Sequence, residues 1–144
     1  MILVGHAQSR QPPSIVEVGV ERLLERAGEA GFTTKVVFIS TEDPNLNAGR
    51  ILVRMSHGGQ AVPLRTIPES YEESMKSLPE ARRHADDLLV YDNTPNGKGH
   101  RLVARFIAGE LVKTTHSTPE WVKDVFGPEL RSEKKQQEKS TRAR

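Results

Sequence analysis

The chain has 144 residues, 35% of them hydrophobic, enough for one domain of ordinary size with a modest core. It contains no cysteine, which excludes disulfides and thiolate metal sites, and no apolar run approaches the roughly 18 residues of a membrane-spanning helix. Its net charge of +2 comes from residues 131–144, which hold six basic and two acidic side chains, so the rest is slightly acidic and specific nucleic-acid binding is not expected.

Ile2-Leu3-Val4 reads as a short edge strand. The run has no basic flank and is too short for a signal peptide, and a cysteine-free chain fits a reducing compartment, so a cytoplasmic location is expected. Pro12-Pro13 blocks helix, and Ser14 with Glu17 has capping-box spacing. The periodicity of Val16, Val20, Leu23, Leu24 and Ala27 predicts a helix from Ile15 to Ala30, closed by Gly31. Val36-Val37-Phe38-Ile39 is short and apolar, the pattern of a buried parallel strand.

Pro44 suits a first helical turn and predicts a helix ending near Ser56, before Gly58-Gly59. Val62-Pro63 is extended. A further helix is expected from Thr66 to about Ser77, with Leu78-Pro79 as a break and a short helix after it. Leu88-Leu89-Val90-Tyr91 is a second buried strand, and Pro95 to Gly99 has turn composition. The alternation from Arg101 to Phe106, then Ala108-Gly109, then Glu110-Leu111-Val112, predicts a hairpin. Trp121 anchors a short terminal helix. Residues 1–130 are thus expected to form one α/β domain and 131–144 a disordered basic tail.

Arg50 and Arg54 lie four apart on one helical face. Two guanidinium groups so placed can grip a polyphosphate, or can simply form a solvated face. From spacing alone the solvated face is preferred; Gly58-Gly59 adds weight to the grip, since a glycine break lets a helix swing as a lid. Glu42, Asp43 and Asp92 fall at strand ends, where carboxylates hold magnesium or act as a base; helix capping by Asp43 and turn formation by Asp92 are preferred. His57 and His84 show no second ligand at metal spacing, so no metal site is expected. No catalytic residue stands out: serine lacks a G-x-S-x-G context, and no G-x-x-x-x-G-K-[ST] phosphate cradle occurs anywhere.

Taken together, Phe38 to Pro44, Arg50, Arg54, Gly58-Gly59 with Val62-Pro63, Tyr71, Leu78-Pro79-Glu80-Ala81 and Val90 to Thr94 resemble the C-terminal half of zeta-toxin-like P-loop kinases. These are predicted ATPases related to the UDP-N-acetylglucosamine kinase of toxin–antitoxin systems. The resemblance implies a parallel sheet flanked by helices, with an arginine-bearing lid over ATP and magnesium. It implies cofactor contacts at Arg50, Arg54, Asp92, Asn93 and Thr94. Gln60, Ser70, Glu73 and Met75 depart from the family pattern, and the family's P-loop lysine and acidic base have no counterpart.

The expectation is a truncated or degenerate kinase domain, a pseudoenzyme inactive on its own, with no cofactor for the isolated chain. Two alternatives stand beside it. One is a kinase half completed by a P-loop-bearing partner, or a self-associating chain, through an open sheet edge. The other is a binding module acting through the basic tail.

Overall fold

The computed structural model describes residues 2–3, 19–59, 63, 65–95, 99–128 and 130. The expected capping box at Ser14 and Glu17, the start of the first helix, the extended Val62 and the basic tail lie outside these residues.

A mixed sheet carries strands in the sequential order β1 (Ile2–Leu3), β2 (Lys35–Ser40), β3 (Asp87–Asp92), β4 (Arg101–Ile107) and β5 (Glu110–Thr114). β2 and β3 run parallel through six paired positions, from Lys35 opposite Asp87 to Ser40 opposite Asp92. The other pairs are antiparallel. The expected α/β class, the parallel pair and the hairpin are all present. Ile2 and Leu3 pair with Val37 and Val36, so β1 covers part of the edge predicted to lie open.

Side chains alternate across a strand. Val36, Phe38, Leu88 and Val90 are buried, while Val37, Ile39, Leu89 and Tyr91 on the other face are only half-buried. The buried face meets helices α1 (Val20–Glu29), α3 (Thr66–His84) and α4 (120–128). Leu24, Leu78, Ala81, Trp121 and Phe126 pack there in a single cluster. Phe38 meets Trp121 at 6.1 Å between ring centroids, and Phe106 meets Phe126 at 4.7 Å. On the half-buried face, Asp87 pairs with Arg105 (2.9 and 3.0 Å) and with Lys35 (3.4 Å), a cross-strand charge ladder that sets register.

Helix α3 corrects one expectation. It runs unbroken through Pro79, which was predicted to end it. A proline inside a helix costs about 3 kcal/mol. Leu78, Ala81 and Ala85 on both sides of it are buried at 3% exposure or less, and this packing holds the helix together across the missing hydrogen bond.

The hairpin turn places Ala108 at φ 48° and Gly109 at φ 79°, the double positive φ of a type I′ turn. Glycine meets this freely, whereas alanine is strained there by about 1 kcal/mol. Ala108→Asn, which tolerates the left-handed region, is expected to raise the unfolding free energy by about 1 kcal/mol in a denaturant titration.

Candidate functional site

The loops that follow β2 and β3 lie at the C-terminal ends of the parallel strands, where ligands of open α/β sheets bind. Helix α2 (Pro44–Ser56) begins here. Asp43 caps it, its carboxylate accepting from the Asn45 N–H at 2.8 Å, with Pro44 in the first turn. The preferred capping role of Asp43 is therefore what the structure shows.

The far end of α2 corrects the expected glycine hinge. Gly58 has φ 84°, its N–H donates to the Met55 carbonyl, and the Gly59 N–H donates to the Arg54 carbonyl at 2.9 Å. These are the paired bonds of a Schellman cap. Gly59 also lies so close that a Cβ would meet the Arg54 carbonyl oxygen at 2.7 Å. Both glycines thus have a local structural cause, one for φ and one for space, and do not require a moving lid.

Between α2 and α3 a cleft of about 470 Å³ opens at the end of β2, within the range of small-ligand sites. Arg50, Arg54 and Asn47 face it from α2, and Ser70, Tyr71 and Ser74 from α3. The predicted arginine pair does share one cleft, but the two side chains differ. The Arg50 guanidinium donates to the backbone carbonyl of Asn93 (2.5 Å) and to that of Thr94 (3.4 Å). The Arg54 side chain makes no hydrogen bond or ion pair among the described residues, and the residue is exposed. Arg50 ties α2 to the end of β3; the Arg54 side chain has no such tie.

The Tyr71 hydroxyl donates to the Thr41 carbonyl at 2.8 Å. Burial pushes its phenol above the ordinary value, the Asp43 and Glu42 charges add to this, and a hydrogen bond with Ser40 opposes it. Tyr71 is therefore a neutral donor at physiological pH and not a base.

Asp92, Asn93 and Thr94, expected as cofactor contacts, do not line the cleft. Asp92 is 2% exposed. Its carboxylate accepts from the Thr94 N–H (3.1 Å) and hydroxyl (2.5 Å), from Arg101 Nε (3.3 Å) and from Trp121 Nε1 (3.4 Å). Burial opposes its charge, but the Thr94, Trp121 and Arg101 hydrogen bonds outweigh it and hold the carboxyl below its usual range. Thr94 Oγ1 also accepts from the Glu42 N–H at 2.9 Å, and the Asn93 N–H donates to the Ser40 carbonyl at 2.7 Å. The three residues knot the ends of β2, β3 and α4 together. The turn role preferred for Asp92 is shown, within a wider network.

These residues do not fit a magnesium–ATP site. Asp92 is buried and fully engaged, Asp43 caps a helix, and Arg50 is held by backbone carbonyls.

His84, expected to stand alone, has three carboxylates around it: Glu21, Glu25 and Glu80. Glu80 at i−4 was visible in the sequence; Glu21 and Glu25 arrive only by the packing of α1 on α3.

No protein-family model matches the chain, and no curated protein and no solved structure is significantly similar to it. No helix among the described residues is long and apolar enough to cross a membrane.

Proposed function

We propose that the chain is a degenerate domain of the zeta-toxin-like kinase type. In this account it holds a small anionic group in the cleft between α2 and α3 and transfers no phosphoryl group on its own. One observation carries the reading: of two arginines on one helical face, Arg50 is bound to the Asn93 and Thr94 carbonyls and Arg54 is not.

The cleft offers an oxyanion three kinds of donor: the Arg54 guanidinium, the Asn47 amide and the Ser70 hydroxyl. It does not offer the chemistry of transfer. A kinase stabilises the moving phosphoryl group with positioned charge, and loss of one arginine there costs about 10³-fold or more. Here Arg50 is engaged elsewhere, Ser70 and Glu73 stand at family arginine positions, and the phosphate-cradling loop is missing from the sequence.

Titration of the full chain with inorganic pyrophosphate by calorimetry tests the cleft assignment. One-to-one binding is expected, weakened at least about tenfold by Arg54→Ala, the loss of one charge-assisted contact. Absence of binding, or binding that Arg54→Ala leaves unchanged, overturns it.

A second reading, a kinase half completed by a partner chain, is favoured by two features. β1 pairs only with Val36 and Val37, so no strand among the described residues pairs with the outer edge of β2 from Phe38 to Ser40. Helix α2 has no buried residue and exposes Leu46, Leu52 and Val53. Because β2 and β3 bond directly along six positions, a partner's strand cannot insert between them and would join at a free edge such as this one. Co-expression with a P-loop protein encoded beside this chain would then yield ATP turnover and a stable complex. Purification of the two proteins separately, without turnover on mixing, removes this reading.

A further inference from the structure

Away from the cleft, α1 packs on the C-terminal end of α3. Glu21 and Glu25 sit one turn apart on α1, and Glu80 and His84 one turn apart on α3, so each pair projects from one helical face. The two pairs face one another. His84 Nε2 lies 3.7 Å from Glu21 Oε1 and 3.8 Å from Glu80 Oε2, and His84 Nδ1 lies 3.8 Å from Glu25 Oε1. Ligand atoms of Glu21, Glu25 and His84 all fall within 4.8 Å of one another.

These separations are too long for hydrogen bonds, which span about 2.7–3.2 Å. The half-buried His84 imidazole makes no hydrogen bond among the described residues. Three carboxylates converge on it, and the neighbouring Arg83 is turned to Glu80 Oε1 at 2.8 Å. An ion bound at about 2.0–2.2 Å from each ligand needs donors roughly 3.0–3.5 Å apart. Small rotations of exposed glutamate side chains would supply that contraction.

We propose that Glu21, Glu25 and His84 form a binding site for a divalent cation of the zinc class, with the Glu80 carboxylate beside the imidazole. A nitrogen donor among carboxylates selects a borderline transition ion over magnesium or calcium. The ion would clasp α1, which buries only Val20 and Leu24, to the end of α3.

The test is calorimetric titration of the chelator-treated full chain with zinc chloride, alongside thermal unfolding with and without zinc. A single tight site and a raised Tm are expected in the wild type. Both should be lost, with affinity down at least about tenfold, in His84→Gln and in the double variant Glu21→Gln/Glu25→Gln. The metal-free Tm of each variant shows whether it has folded. Absence of a zinc site in the wild type overturns the proposal. So does a zinc response that persists in folded variants of both kinds, which would place the ion elsewhere in the chain.

Discussion

Asp92→Ala should destabilise the chain by about 3 kcal/mol, the scale for removing one partner from a buried, hydrogen-bonded charge network. The alanine would leave the Thr94 N–H and Trp121 Nε1 without their acceptor, and the Arg101 guanidinium without its carboxylate. Arg101 is 46% exposed and can turn to water, which keeps the figure at the lower end. The chain has one tryptophan, so its fluorescence reports this site during a denaturant titration.

The same residue carries a pH signature. Its folded carboxyl lies below the ordinary value, as do those of Asp86, bonded to the Thr34 backbone and side chain, and Asp87, held by Arg105. For a depressed carboxyl, the stabilisation is fully present above the unfolded value of about 3.9 and is lost as pH falls through the folded one. Unfolding free energy should therefore hold level through neutral pH and drop from about pH 4 downward. Asp92→Asn should flatten that acid limb; an unchanged limb would move the titration to other groups.

The second large effect separates the two cleft arginines. Arg50→Ala removes two charged hydrogen bonds that join α2 to the end of β3, and should cost about 2 kcal/mol of stability. Arg54→Ala removes an exposed side chain with no partner among the described residues and should change stability by less than about 0.5 kcal/mol. Their effects on pyrophosphate binding should differ in the opposite sense. Arg54→Ala weakens it at unchanged Tm, whereas Arg50→Ala lowers Tm first. Equal loss of stability in both variants would contradict the division of roles.

Local rules carried much of the fold. The apolar runs of β2 and β3, the Asp43-Pro44 helix start and the Ala108-Gly109 turn each act within a few residues, and each is where the sequence pattern placed it. The same local logic failed at Pro79, because the burial of Leu78 and Ala81 is a tertiary effect. At Gly58-Gly59 the pattern signals a break but not its kind, since a hinge and a Schellman cap share the same residues.

The site was legible only in part. The helical spacing of Arg50 and Arg54 put both in one cleft. Their different roles depend on carbonyls 43 and 44 residues away from Arg50 in the chain, which no local pattern reveals. Asp92, likewise, gained its place from Trp121, 29 residues further on.

Phosphoryl transfer from labelled ATP by the isolated full-length chain, with magnesium and with or without a UDP-sugar acceptor, tests the central claim most directly. No turnover above the protein-free background is expected, and no difference between the wild type and Arg54→Ala. Turnover by the wild type that Arg54→Ala abolishes would contradict it.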